Sequence, residues 1–398
     1  MCMSGKGKHT SRRDVLKAAT GALAATGIVG MAEARPTDKV EVNVGFDDAR
    51  GKAAVERKAD AVVREFNFEA MTVRLPKKAA DALQRNPSVR YVEENGQMHA
   101  LAQTTPWGID RTDSEVAHAN GDTGSGADVA IIDTGIDSDH PDLQSNLGTG
   151  KSFVQCSTKG GCRYGAKPAD NTCYSSWDDD NNHGTHCAGI AGGVDNTEGV
   201  VGVAPDVTLH AVKVLDKCGS GSFSDIAAGV QWVADQGYDV GSMSLGGSSG
   251  SSALKDAVQY AADKGVFLVA AAGNSGPCSD CVGYPAAYSE VVAVSSTASD
   301  DSLSDFSSTG PEVELAAPGT DIYSSVASNG SYDTFSGTSM ACPHVAGAAG
   351  QLMADGATAS DARSTLKSSA ENIGLASNES GAGLLDVASA LGLDSSDN

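Results

Sequence analysis

Past residue 126 the chain alternates between short, apolar, β-branched runs and segments of helical period, and this alternation narrows the folds open to it. Asp128–Asp133, Val207–Leu215, Val266–Ala272 and Val291–Ser295 read as buried strands, and Ser224–Gln236 and Leu254–Lys264 repeat at helical spacing. Strands that are apolar on both faces need cover on both faces, and intervening helices supply it. The expected architecture is α/β: a mostly parallel, doubly wound sheet. In such sheets reactive groups gather beyond the carboxyl ends of the strands.

Residues 35–101 read as a smaller α+β unit. Val40–Phe46, Val62–Phe68, Met71–Leu75 and Val89–Glu93 have strand patterns, and Ala49–Ala59 and Lys77–Asn86 have helical ones. That β-α-β-β-α-β order is the ferredoxin-like, split βαβ arrangement, and nothing in it carries chemistry. His99–Pro106 is small and polar enough for an accessible linker. At the amino end, Ser11-Arg12-Arg13-Asp14-Val15-Leu16-Lys17 precedes an Ala/Gly-rich run, Ala18–Ala32, too short and small-sided for a stable membrane span. The run ends in Ala32-Glu33-Ala34, a small-x-small cleavage pattern. Residues 1–34 resemble a twin-arginine export signal, with Val15 where an aromatic is common; a Sec signal with two chance arginines is the alternative.

Charge excludes two classes of partner. The chain has 28 Lys and Arg against 51 Asp and Glu, a net of −23, and residues 102–398 alone hold 11 basic and 38 acidic side chains. Such a surface repels phosphate, so neither nucleic acid nor an anionic membrane face is an expected partner. An acid excess of this size suits a high-salt habitat, where counterions screen self-repulsion; an ordinary acidic secreted protein is the alternative.

Three polar residues stand where open α/β sheets place their chemistry. Asp133 ends Val129-Ala130-Ile131-Ile132 and enters the turn Thr134-Gly135. His183 opens His183-Gly184-Thr185-His186-Cys187-Ala188-Gly189, a loop-to-helix start, and Ser339 lies in Ser336-Gly337-Thr338-Ser339-Met340-Ala341-Cys342-Pro343-His344, again entering an apolar helix. A serine hydroxyl is a weak nucleophile until an imidazole takes its proton, and the imidazole needs a carboxylate to fix its tautomer. At a helix start the serine also points its own N–H toward a developing oxyanion.

These motifs, in the order Asp, His, Ser, resemble the subtilisin family of serine endopeptidases over about residues 103–393. The resemblance implies a catalytic triad of Asp133, His183 and Ser339, with residues 35–101 as an inhibitory, chaperone-like prodomain and 102–398 as the catalytic domain. Ala271-Ala272-Gly273-Asn274 is similar to the segment whose Asn side chain joins the serine N–H in the oxyanion hole, so Asn274 and Ser339 are the implied donors. Ser244-Leu245-Gly246-Gly247 is similar to the edge strand that pairs with substrate backbone, with Gly241-Ser242 just upstream where an Asn is common. Gly283 matches the floor of the primary specificity pocket, which implies a deep apolar pocket for Phe, Tyr, Leu or Met; a turn glycine before Pro285 is the alternative. Gln103, Asp142, Val194, Asn196, Glu198 and Val200 fall on positions like the family's strong calcium site, Glu198 standing where a carbonyl is usual. Ca²⁺ is the implied structural cofactor. Asp178-Asp179-Asp180-Asn181-Asn182 reads as a charged, solvated loop, a second ion site being the alternative.

Cys2 leaves with the signal, and an export route makes the location oxidising. Cys187 and Cys342 lie one helical turn below His183 and Ser339, and resemblance to thiol-containing subtilases implies that Cys187 stays free. Cys156, Cys162, Cys173, Cys218, Cys278 and Cys281 sit in loops, their pairing open. Cys278 and Cys281 make only a weak zinc signal. The reading is a secreted, monomeric, autoprocessed preproenzyme of haloarchaeal halolysin type, without a membrane anchor or a long C-terminal extension after Leu393. Its partners are protein and peptide substrates and its own prodomain. A silent, prodomain-gated binding protein and an α/β-hydrolase esterase are the rivals. The esterase would need the second glycine of a nucleophile elbow, which Gly-Thr-Ser-Met-Ala lacks, and an acid and base that follow the serine.

Overall fold

The computed structural model describes residues 39–95, 103–162, 169, 171–327 and 330–395, in two compact units that divide between His99 and Ala100. The twin-arginine segment, the Ala32-Glu33-Ala34 pattern and the Leu101–Ala102 junction lie outside the described residues.

In the first unit β1 (Lys39–Phe46), α1 (Ala49–Lys58), β2 (Ala61–Phe66), β3 (Ala70–Pro76), α2 (Lys77–Leu83) and β4 (Val89–Glu94) follow one another. The strands form an antiparallel sheet ordered β2-β3-β1-β4, the split βαβ arrangement. Asp48 starts α1 by accepting from the N–H groups of Arg50 and Gly51, both at 2.9 Å. β2 stops at Phe66, short of Phe68, because Glu69 adopts a left-handed φ of 50° that turns the chain into β3. Val44, Val55, Val73, Leu75 and Leu83 close the core.

The second unit begins with α3 (Trp107–Arg111) and α4 (Ser114–Asn120) and is built on β5 (Asp128–Asp133), β6 (Lys151–Ser152), β7 (Thr208–Lys213), β8 (Val240–Met243), β9 (Phe267–Ala271), β10 (Val291–Thr297) and β11 (Val313–Pro318). Their order is β11-β10-β9-β8-β5-β7-β6, and all neighbours are parallel. Helices α5 (His183–Gly192), α6 (Phe223–Gln236), α7 (Ser252–Asp263) and α8 (Thr338–Ala354) cover it. Alternation along β5 divides the core: Val129 and Ile131 join Cys187, Ala188 and Val345 from α5 and α8, whereas Ala130 and Ile132 join Ile226, Val230, Leu254 and Val258 from α6 and α7. The hairpin β12 (Ile322–Val326) and β13 (Ser331–Phe335), with α9 (Ala359–Ser369), α10 (Ser377–Ser380) and α11 (Val387–Ala390), completes the unit. β8 was not expected as a strand, since Val240-Gly241-Ser242-Met243 offers two apolar side chains only; its ladders to β5 and β9 make it one.

The acidic tract corrects an expectation. Asp178, Asp179 and Asp180 are not a solvated loop: they are 0%, 0% and 1% exposed. Asp178 accepts from the N–H groups of Ser138 at 3.2 Å and Ser175 at 2.8 Å. Asp180 meets Lys213, itself fully buried, at 2.6 Å, and the same ammonium donates to the carbonyls of Thr134 at 2.6 Å and Leu215 at 3.0 Å. Burial pushes the Asp180 carboxyl above its ordinary range although Lys213 opposes the shift. Sequence pattern did not reveal this burial because the ammonium that makes it tolerable lies on a distant strand.

Removing one partner of a buried pair strands the other, whereas replacing both with apolar groups need not destabilise. Lys213→Met is expected to lower unfolding free energy by about 3–5 kcal/mol, and Lys213→Met with Asp180→Leu to recover most of it. Denaturant titrations at fixed salt check both; equal loss in the two variants would contradict the pair's role.

Candidate active site

Each expected catalytic side chain sits at the end of an element. Asp133 is the last residue of β5, wholly buried, and its Oδ1 accepts from the Thr134 N–H at 2.7 Å and meets His183 Nδ1 at 2.7 Å. Asp133 Oδ2 is buried with no partner among the described residues. His183 is the first residue of α5, and Asp179 anchors that helix start. Its carboxylate accepts from Asn181 N, Asn182 N, Thr185 N and Thr185 Oγ1, the last two at 2.9 and 2.7 Å, placing negative charge at the positive end of the helix. Asp179 Oδ1 also accepts from Thr134 Oγ1 at 2.8 Å, and Thr134 Oγ1 accepts from Gly184 N at 2.8 Å, which ties the turn after Asp133 to the helix that carries His183. Burial disfavours charge on the imidazole, but the attraction and hydrogen bond of Asp133, with a contribution from Asp179, outweigh it and hold the His183 pKa above its ordinary value. The ring stays 27% exposed, so one edge faces the cleft.

Ser339 is the second residue of α8. Its Oγ donates to the Ser244 carbonyl at 3.3 Å, and among the described residues no hydrogen bond joins it to His183. Asn274 lies beside it, oriented by Thr338: Asn274 Oδ1 accepts from Thr338 N at 2.9 Å and Thr338 Oγ1 at 3.0 Å. That leaves the amide nitrogen without an acceptor among the described residues. A Cβ built on Gly337 would lie 3.4 Å from Asn274 Nδ2, 3.6 Å from Ser339 N and 3.8 Å from Asn274 Oδ1, so two donor nitrogens lie close to one point that glycine keeps open. An oxygen carrying developing charge is what such a pair can hold.

Two recesses flank this point. One, of about 470 Å³, is lined by Gly247, Ala271, Gly273, Asn274, Gly283 and Ser339 among others. The second, of about 700 Å³, is lined by His183, Leu215, Phe223, Ile226, Leu245 and Leu254 among others. Ser244-Leu245-Gly246-Gly247 forms the ridge shared by both. The ridge is not an edge strand of the large sheet: it runs on beyond the carboxyl end of β8, a central strand. Gly247 is held by a two-way backbone exchange with Tyr284 at 2.9 Å, while Leu245 and Gly246 form no backbone bond among the described residues and suit strand addition. Ala272 does not line the recess; its N–H goes to Val294, and its carbonyl takes the Gly283 N–H, both at 2.9 Å. A Cβ on Gly283 would stand 3.2 Å from the Gly247 carbonyl, so glycine there keeps the recess open.

Gln103, Asp142, Val194, Asn196 and Val200 converge on one cage. Gln103 Nε2 donates to the carbonyls of Val194 at 2.5 Å and Val200 at 3.2 Å, while Gln103 Oε1 accepts from Asn196 N at 3.0 Å. Asp142 is fully buried and accepts from Val200 N at 2.8 Å and Asn196 Nδ2 at 3.3 Å; Tyr332 also hydrogen-bonds to it. No cation pairs with Asp142 among the described residues. The Asp142 carboxylate and the two carbonyls are oxygen donors held together by the amide nitrogens of Gln103 and Asn196; with those two amides turned over, their oxygens would complete an all-oxygen set that fits a hard divalent cation. Glu198 stands apart: its side chain is exposed and its N–H donates to Asn196 Oδ1 at 2.6 Å.

The six loop cysteines pair as Cys156–Cys173, Cys162–Cys218 and Cys278–Cys281, and Cys187 and Cys342 are free and buried. Burial pushes the Cys187 thiol well up and Cys342 up to about 11, so neither is a thiolate at neutral pH. Sequence reasoning missed Thr134, Asp179 and Thr338, which hold Asp133, the helix start at His183, and Asn274 respectively. Thr134 and Thr338 directly adjoin catalytic candidates, the one local signal that was present.

Among the described residues no helix is long and apolar enough to cross a membrane. Residues 124–383 match the model of the Subtilase family. The chain is 41% identical over 334 residues to subtilisin amylosacchariticus from Bacillus subtilis subsp. amylosacchariticus and to subtilisin J from Geobacillus stearothermophilus, covering 83% of this chain and of each relative. It is 40% identical over 332 residues to an alkaline protease from Alkalihalobacillus alcalophilus, covering 83% of this chain and 81% of that protein. The chain belongs to the subtilase family, as a subtilisin-type serine endopeptidase.

Proposed function

We propose that the protein is a secreted, halophilic endopeptidase of halolysin type, in which Ser339 attacks the peptide carbonyl, His183 carries the proton and Asp133 orients and charge-stabilises His183. The carrying observation is that Asn274 Nδ2 and Ser339 N lie close to one open point beside the Ser339 residue. Substrate backbone pairs with Leu245 and Gly246, which places the scissile carbonyl oxygen at that point. His183 takes the hydroxyl proton as the tetrahedral centre forms and returns it to the leaving amine. The hydroxyl-to-imidazole bond is one that substrate tightens, as free enzymes often hold such bonds loosely. Gly283 and its recess favour a large apolar side chain at P1, the residue on the acyl side of the cut.

The remaining parts of the reading rest on sequence and on the cage. Residues 1–34 are an export signal of twin-arginine type, 35–101 an inhibitory prodomain, and 102–398 the catalytic domain, which acts as a monomer. The enzyme cuts itself after Leu101, with Ala100 and Ala102 as neighbouring cut points, leaving Ala102-Gln103-Thr104 at the new amino end; Gln103 already sits in its cage in the uncut chain. Gln103, Asp142, Val194, Asn196 and Val200 would hold Ca²⁺, Glu198 contributing at most a carbonyl; the ion supplies positive charge that a buried Asp142 otherwise lacks. Acid excess on 102–398 supports the high-salt habitat.

Casein hydrolysis in molar salt, stopped by a serine-directed inhibitor, tests the function. It is expected to disappear together with native circular dichroism near 0.1 M salt, where the screening length grows to about 10 Å. Ser339→Ala is expected to be inactive and to accumulate as the precursor; processing of that variant would assign the cut to another protease.

Because a proton on His183 blocks it as a base, and its pKa is raised, kcat/KM should climb with pH through a midpoint above 6.5. Asp133→Asn removes the attraction that offsets burial, so the midpoint should fall while kcat drops about 10⁴-fold. Stopped-flow hydrolysis of a chromogenic peptide from pH 5 to 10 reads both. An unmoved midpoint would contradict the role given to Asp133.

Asn274→Leu is expected to lower kcat by about 10²–10³ with little change in KM, the size known for this donor in subtilisin. A loss confined to KM would place Asn274 in ground-state binding instead.

A further inference from the structure

The specificity recess contains a feature that its apolar reading leaves unused. Asp280 lines the same wall as Val282 and Gly283, in the recess that opens at Ser339. Its side chain is exposed, but its backbone is not a free arm. It stands inside the Cys278–Cys281 bridge, and that loop is pinned by Cys281 N to the Thr309 carbonyl at 2.9 Å and by Thr309 Oγ1 to the Cys278 carbonyl at 2.6 Å. A second carboxylate backs it. A Cβ on Gly310 would lie 2.8 Å from Glu312 Oε2, 3.0 Å from Val282 Cγ2 and 3.7 Å from Asp280 Oδ1, so both acids border the Val282 wall. Glu312 Oε2 is buried without a hydrogen-bond partner, and neither acid is ion-paired among the described residues.

We propose that Asp280 makes this recess a dual pocket, selecting Lys and Arg at P1 alongside large apolar side chains and rejecting Asp and Glu. This rests on the endopeptidase reading of the same cleft. A lysine or arginine side chain has the right construction: its methylene stem covers apolar wall and its charged head reaches the polar end. Glycine at 283 leaves length for that stem, and Val282 supplies the wall. At the end of the stem the cation meets Asp280, with Glu312 adding negative field behind it and no cation paired with either among the described residues. An acidic P1 side chain would meet the same two charges as repulsion, so the wall discriminates by both attraction and exclusion. A contact pair survives molar salt better than long-range attraction, since its separation is no more than about one screening length, about 3 Å, while distant charges lie several lengths away.

Matched peptides that differ only in P1 Phe, Leu, Lys or Glu, hydrolysed at fixed molar salt, give the test as ratios of kcat/KM. Wild-type enzyme should cleave Phe and Lys peptides within about tenfold of each other and Glu peptides far more slowly. Asp280→Asn should lower the Lys-to-Phe ratio about fivefold, the upper end for an exposed ion pair. Asp280→Lys should lower it further and raise the Glu-to-Phe ratio by a similar factor. An unchanged Lys-to-Phe ratio in both variants overturns the inference while leaving the endopeptidase intact. Failure of the wild type on every peptide and on casein overturns the function itself, and the inference with it.

Discussion

A reversal of strand order governs where chemistry can sit in this protein. From β5 the chain goes out to the edge at β6, returns through β7, and only then crosses to β8 on the other side of β5. The carboxyl ends of β5 and β8 therefore lie side by side with no connection bridging them, the place where open sheets leave a crevice. Asp133 ends one strand and Ser244 follows the other, so the carboxylate and the Ser244–Gly247 ridge are neighbours by topology. Register enforces it: Val129, Ala130 and Ile131 pair with Val240, Gly241 and Ser242. Small residues in β8 allow this packing, since a Cβ on Gly241 would already stand 3.0 Å from Leu268.

A second constraint links that ridge to Ser339. Pro343 has no N–H, so the carbonyl of Ser339, four residues earlier in α8, loses its helical partner. Two side chains from other elements replace it: Ser244 Oγ donates at 2.7 Å and the Cys187 thiol at 3.4 Å. The proline thus turns a routine helix bond into a junction of α8, α5 and the ridge, one residue's backbone touching all three. Ser339 Oγ in turn donates to the Ser244 carbonyl. Cys187 serves here as a buried donor, which fits a thiol whose burial keeps it protonated.

What the sequence made legible follows from how local each signal is. Asp133, His183, Ser339 and Asn274 each sit in a short motif at the end of a strand or the start of a helix, so pattern alone locates them, and alternation locates the sheet. Asp178–Asp180 were misread because the charges of a solvated loop and of a buried one look alike along the chain. Only tertiary contact with Lys213, Thr134 and Thr185 separates the two cases. The ridge was expected as an edge strand and not as the continuation of a central strand, because register is a property of neighbours. Asp280 gave no signal, since its meaning depends on which way a bridged loop faces.

Two populations of acid do different work. The surface excess on residues 102–398 is exposed to counterions, and at molar salt its mutual repulsion decays within about 3 Å. Asp133 and Asp179 are wholly buried, so salt reaches them poorly, and both raise the affinity of His183 for a proton. Asp179 does so while also fastening Thr134 to the start of α5, which means that the group biasing the imidazole is the group that positions it. Ionic strength therefore acts on how well the folded state is tolerated, through the outer charges. The proton affinity of His183 is raised by carboxylates buried away from solvent, so ionic strength that moves the outer charges leaves that affinity largely in place.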